Sequence, residues 1–183
     1  MTRLRDFAKD TDKLSAHQYI HVYESLLEPI RETATNVLEI GIYWGGSIRM
    51  WKSYFPNATV HCVDVHDNCN GFKGEDRISP VYMDAYCEEA LLKVSHIKFD
   101  FMIDDGPHTL ESQQYFVNKY SSLLSINGLL VVEDIPHPDW IPALTDATPD
   151  ELKPYSYGID RRWVPGRNSI NDELIFVIDK RYV

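Results

Sequence analysis

The chain has 183 residues, of which 44% are hydrophobic and 25% charged, and its formal net charge is −10. That length suits one domain with a real core, and the balance is that of a globular protein in water. The acid excess counts against a nucleic-acid partner, no apolar run approaches the ~20 residues of a membrane span, and the three cysteines show neither zinc-like spacing nor the even count of a disulfide framework.

The first residues, Met1 to Asp6, lack the apolar region of a signal peptide, so a reducing, cytoplasmic setting is expected. Tyr19/Ile20, Tyr23, Leu26/Leu27 and Ile30 recur at helical spacing and predict an amphipathic helix over residues 16–30. Residues 36–41 read as a buried strand, and a helix follows from about Ser47 to Tyr54. Thr59–Asp64 is a second strand, and the polar stretch from His66 to Glu75 a loop. A short strand over 78–83, a helix over 86–94 and a buried strand over 98–104 come next. Leu110 to Leu124 reads as a helix stopped by Asn127-Gly128, and 129–132 as a fifth strand. From Asp134 the chain is proline-rich, with at most a short helix. The tail predicts strands over 155–159 and 174–178, with Arg161–Asn171 as a long hairpin loop. Strand–helix alternation closing in an antiparallel pair argues a doubly wound α/β sheet, with residues 1–34 a helical prelude to a core over 35–183.

In such sheets ligands lie beyond the carboxyl ends of the strands. The first strand ends in Glu39-x-Gly41-x-Tyr43-x-Gly45, followed by Gly46-Ser47. This order is not the G-x-G-x-x-G of dinucleotide sites, which disfavours a dehydrogenase-like nucleotide binder. It is similar to the acid-x-Gly-x-x-x-Gly turn of class I S-adenosylmethionine-dependent methyltransferases, with Tyr43 where a glycine often sits. Glu39, Gly41, Tyr43, Gly45 and Ser47 are therefore cofactor-binding candidates, with Asp64, Asp84 and Asp104 at later strand ends. Asp64 is placed for a ribose diol or for an Asx turn, and Asp84 for an adenine amino group or a helix N-cap. Tyr43 and Trp44 either shape the cofactor pocket or pack at the strand end.

Asp105, Glu133 and Asp134, on two later strand ends, make an oxygen-rich set suited to Mg²⁺ or Mn²⁺. Without a cation they would raise one another's pKa. His108, after the Asp104-Asp105-Gly106-Pro107 turn, has no serine or cysteine to serve and reads as a general base for a hydroxyl. His17 and His21 lack the glutamate of a zinc-protease helix and are expected on a helix surface. His61 and His96 suggest no chemistry, and His137 lies in a loop near the site.

Taken together, Thr11-Asp12-Lys13-x-Ser15-x-His17-x-Tyr19, Leu38-Glu39-Ile40-Gly41, Gly45-Gly46-Ser47, Met50-Trp51, Ile103-Asp104-Asp105-Gly106-x-His108 and Val132-Glu133-Asp134 resemble the macrolide sugar O-methyltransferases of the mycinamicin and macrocin type. The resemblance implies a Rossmann-like class I fold with a seven-stranded, mostly parallel sheet and an antiparallel C-terminal strand. It implies S-adenosylmethionine, Mg²⁺ on Asp105, Glu133 and Asp134, and His108 as base on a sugar hydroxyl, rhamnose or another deoxysugar. It also implies that the segment Lys13–Tyr19 folds over the methionine end of the cofactor. Pro107 and the proline-rich stretch 135–142 depart from the pattern where the acceptor would lie. The alternatives are a catechol-type O-methyltransferase and a non-catalytic cofactor-binding subunit of a glycan-modifying assembly. A homo-oligomer, or a domain of a larger glycosyltransferase polypeptide, is compatible with these readings.

Overall fold

A computed structural model describes residues 3–15, 17–164 and 173–182. Its centre is a seven-stranded sheet in the order β3-β2-β1-β4-β5-β7-β6. The strands are β1 (Asn36–Ile40), β2 (Thr59–Asp64), β3 (Ile78–Tyr82), β4 (Phe99–Asp104), β5 (Leu124–Ile135), β6 (Ser156–Asp160) and β7 (Leu174–Asp179). β1 to β5 run parallel, while β7 pairs antiparallel with both β5 and β6. The seven-stranded, mostly parallel sheet with an antiparallel C-terminal strand is as expected.

The helices are α1 (Asp12–Ser15), α2 (Ile20–Leu27), α3 (Gly46–Tyr54), α4 (Glu88–Val94), α5 (Leu110–Tyr115) and α6 (Trp140–Ala147). Consecutive strand residues point to opposite faces, and here both faces are covered. Val37, Phe101 and Val131 pack with Tyr23, Trp51 and Phe55 on one face. Leu38, Met102 and Val132 pack with Ala90, Phe116 and Leu144 on the other. This is why the central strands are continuously apolar rather than alternating. No helix is long and apolar enough to cross a membrane among the described residues.

Most elements shift by a residue or two at their ends, and the larger departures from expectation are in the helical segments. The helix expected over 16–30 is shorter, with α1 and α2 separated before Tyr19 and a 3₁₀ turn at Glu28–Ile30. The helix expected over 110–124 is α-helical only to Tyr115, then a π turn (Phe116–Tyr120) and a 3₁₀ turn (Ser121–Leu123). Asn127-Gly128 therefore lies inside β5 instead of ending a helix. A register shift pairs Leu124 with Phe99 and Leu129 with Phe101, so the intervening residues bulge from the ladder. In the proline-rich stretch, α6 forms with Pro142 in its first turn, where the missing N–H costs no hydrogen bond. Of the predicted hairpin loop, residues 165–171 lie outside the described residues.

Candidate functional site

The strand order reverses between β1 and β4, and a cavity of about 940 Å³ opens beyond their carboxyl ends. Its floor is the turn after β1, from Gly41 to Trp44 with Gly46 and Ser47. Asp64, Asp84, Ala85 and Tyr86 form one wall, and Asp105, His108 and Asp134 another. Asp10, Thr11, Asp12 and His17 close a third side. A volume of this size suits a nucleoside-sized ligand.

The turn is built by close approach. Gly41 has φ +86°, and a Cβ there would stand 2.0 Å from the Asp105 carbonyl oxygen. Only glycine lets the β1 turn pass against the β4 turn. Tyr43 also has positive φ, +47°. Tyr43 and Trp44 are largely exposed, lie edge to face at 5.4 Å and line the cavity, so neither packs at the strand end. Gly45 is the left-handed N-cap of α3.

The other cofactor candidates divide between the cavity and its supports. Asp64 lines the cavity, accepting the Ile42 N–H on Oδ2 at 2.6 Å and the His66 N–H on Oδ1 at 2.7 Å. The Asx turn and the cavity position thus coexist in one residue. Asp84 lines the cavity and accepts the Tyr86 N–H at 2.9 Å, while the N-cap of α4 is Cys87. Glu39 and Asp104 are buried beneath, and the cavity wall does not include them. Glu39 Oε2 accepts the Trp51 indole N–H at 3.0 Å, and burial raises its pKa to about 8 against the pull of Lys13. Asp104 Oδ1 accepts the Tyr86 hydroxyl at 2.5 Å, and burial lifts it to about 7. Both brace the turns that make the site.

At the far wall, Asp105, His108 and Asp134 each offer one ligand atom, all within 4.8 Å of one another. His108 Nε2 is 3.3 Å from Asp105 Oδ1 and 3.4 Å from Asp134 Oδ2. Burial works to lower the imidazole pKa, but the bond to Asp105 and the charge of Asp134 raise it above its ordinary value. Asp134 is raised to about 6, by burial and by repulsion from Asp105. Burial pushes Asp105 upward too, yet Lys13 and His108 hold it at about 2.

Glu133 adjoins this trio, sharing the Lys13 ammonium with Asp105. Its oxygens accept from Lys13 Nζ and the Tyr23 hydroxyl. Of the three expected cation ligands, Asp105 and Asp134 meet beside His108, and Glu133 adjoins them through the Lys13 ammonium that it shares with Asp105. The donor set still fits a hard cation. Glu39, Asp105 and Glu133 crowd around one ammonium with Asp134 beside His108, and the surplus of buried negative charge favours a divalent ion.

No protein-family model matches the chain. It is 34% identical over 168 residues to 8-demethyl-8-alpha-L-rhamnosyl tetracenomycin-C 2'-O-methyltransferase of Streptomyces olivaceus, covering 85% of this chain and 43% of that protein. It is 29% identical over 152 residues to mycinamicin VI 2''-O-methyltransferase of Micromonospora griseorubida, covering 78% of this chain and 38% of that one. The solved structure of the MycE methyltransferase with Mg, SAH and mycinamycin VI superposes with a TM-score of 0.66 at 29% identity. That superposition covers 73% of this chain and 39% of MycE. The chain has the class I methyltransferase fold and resembles the sugar O-methyltransferases. It spans less than half the length of these relatives.

Within this methyltransferase fold, the N-terminal segment supplies residues that sequence reasoning did not single out. His17, expected on a helix surface, precedes α2, stacks on Tyr19 at 5.1 Å and stands 3.4 Å from Asp134 Oδ1. Its separation from His21 is the reason: the two residues do not share one helix. Tyr19 donates its hydroxyl to Asp134 Oδ1 at 2.7 Å, and Lys13 is buried among the acids. The resemblance pointed to Lys13–Tyr19 as a segment, but no local pattern marks which atoms it reaches. His137 is exposed, and its Nδ1 lies 3.3 Å from Asp139.

Proposed function

We propose that this chain, acting as one methyltransferase domain, transfers the methyl group of S-adenosylmethionine to a hydroxyl of a sugar on a glycan or glycosylated small molecule. The observation that carries the reading is the meeting of two features at one cavity. The glycine turn with Asp64 forms its floor and one wall, and Asp105, His108 and Asp134 form the facing wall. The named activities of the relatives, sugar O-methyltransferases of rhamnosyl tetracenomycin and mycinamicin, support a deoxysugar acceptor.

In this reading the turn from Gly41 to Ser47 and the acids Asp64 and Asp84 hold the cofactor, which supplies an electrophilic methyl group. Asp105, Glu133 and Asp134 would hold Mg²⁺, which when bound would lower the pKa of the acceptor hydroxyl. His108 Nε2 takes the hydroxyl proton, and the carboxylates beside it stabilise the imidazolium that results. Tyr43 and Trp44 offer apolar ring faces at the mouth. Holding acceptor oxygen and methyl carbon in line supplies much of the remaining acceleration.

The test is a calorimetric titration with S-adenosylmethionine, followed by methyl transfer to rhamnosides and to catechols with and without a chelator. Micromolar cofactor binding and chelator-sensitive transfer to a rhamnoside are expected. Transfer to catechols alone would move the reading to a catechol-type enzyme, and binding without turnover on any glycan to a non-catalytic subunit. Absence of cofactor binding would overturn it.

A further inference from the structure

The acid at the end of β2 is crowded by donors of its own chain. Asp64 Oδ2 accepts the Ile42 N–H at 2.6 Å and the Tyr43 N–H at 3.4 Å, while Oδ1 accepts the His66 N–H at 2.7 Å. The His66 imidazole adds a further contact, its Nδ1 lying 3.0 Å from the same Oδ1. A carboxylate offers about four lone-pair sites, and these donors fill them. A ribose diol can bond Asp64 only by taking the place of one of them.

The backbone amides among these donors are fixed by the fold. Ile42 and Tyr43 belong to the turn after β1, which Gly41 presses against Asp105. His66 caps the 3₁₀ turn Asp67–Phe72, and that turn is pinned along its length. Asn68 Nδ2 donates to the Tyr43 carbonyl at 2.5 Å, and the buried Phe72 ring packs against Gly45 with the Arg49 guanidinium 4.8 Å above it. The imidazole is held by nothing of this kind. It is 76% exposed, lines the cavity, and can leave Asp64 by rotating about its own side-chain bonds, with no backbone movement.

We propose that the His66 imidazole is a latch on the cofactor site. In the ligand-free chain it holds the place on Asp64 Oδ1 that a ribose hydroxyl takes, and it swings toward solvent when the cofactor binds. The inference rests on the reading that the cavity takes S-adenosylmethionine with Asp64 at its ribose. Binding then exchanges one hydrogen bond on Asp64 for another, so the diol gains less there than it would on an open carboxylate. An exposed contact is worth little, so the latch lowers affinity without abolishing it.

Calorimetric titration with S-adenosylhomocysteine and with its 2′,3′-dideoxy analogue decides it. His66→Ala should bind S-adenosylhomocysteine about threefold more tightly than the wild type does. Its affinity for the dideoxy analogue should be unchanged, because only the diol competes for Asp64. His66→Asn places Nδ2 where the imidazole has Nδ1, keeps a donor for Asp64, and should bind like the wild type. Equal or weaker binding of S-adenosylhomocysteine by His66→Ala would overturn the latch, as would equal tightening for both ligands or for both variants. In crystals of the wild-type chain grown with S-adenosylhomocysteine, a ribose hydroxyl is expected on Asp64 Oδ1 with the imidazole turned away. Ring and ribose together on that oxygen would overturn the latch and make His66 a support of the site. Binding by neither the wild type nor His66→Ala would overturn the cofactor reading itself, an outcome distinct from a wild type that binds and a variant that gains nothing.

Discussion

His108 and Asp134 both adopt left-handed backbone conformations, φ +52° and +57°, which non-glycine residues seldom hold. Tyr43, at the opposite side of the cavity, does so as well. Such strain persists only where the surrounding structure over-determines it, and here it aims side chains into one cavity. For His108 the aim brings Nε2 to two carboxylates, the arrangement that a base needs to keep the proton it takes. His108→Ala should therefore leave S-adenosylmethionine affinity intact while methyl transfer falls by about 10²–10⁴-fold, measured as single-turnover rates. An unchanged rate would remove the base from His108. Asp105, Asp134 and His108 were legible in the sequence because each stands in or beside a strand-end turn. Glu133 was legible as an acid at a strand end, but its engagement by Lys13 and Tyr23 was not. Those partners lie 120 and 110 residues away in the chain, and no local pattern encodes them.

At the scale of elements, the turn between β1 and α3 depends on contacts with two other segments. Gly41 passes against Asp105, and Gly46 passes against Asp10, each closer than a side chain allows. Gly46→Ala should force the Asp10 backbone away, costing about 1–3 kcal/mol of stability by urea titration and weakening cofactor binding. Full stability and affinity in that variant would mean that the segment over the cavity adjusts freely. The strand positions were readable because short apolar runs with β-branched and aromatic residues sit between turn signals. The boundaries that shifted share a cause. α5 passes into π and 3₁₀ turns, and β5 begins early because Leu124 finds a partner in Phe99 across a register shift. Tertiary pairing overrode the local helix signal there.

Across the whole molecule, the two apolar layers on either face of the sheet hold the strand ends in register, and His61 is enclosed by this packing. Its ring meets Phe99 edge to face at 5.3 Å, and Nε2 lies 3.3 Å from Asn36 Oδ1. Burial, with a smaller contribution from His96, lowers the imidazole pKa from 6.5 to about 4. Between those values the unfolded chain binds a proton that the folded chain does not. Stability is thus whole above pH 6.5 and is lost as the pH falls toward 4. His61→Leu should flatten that acid limb by on the order of 1–2 kcal/mol in urea titrations from pH 7 to pH 4, and an unaltered limb would assign the loss to other groups.

The parallel sheet, the glycine turn and the acids at the strand ends are all readable from the residues alone. These depend on periodicity and turn chemistry within a few residues, which local forces enforce. That Lys13, His17, Tyr19 and Tyr23 converge on those acids, and that Asp104 and Glu39 brace the turns from below, emerges once the chain is folded. The reason is physical. A buried carboxylate must find a partner wherever the fold brings one, and chain distance places no limit on that choice.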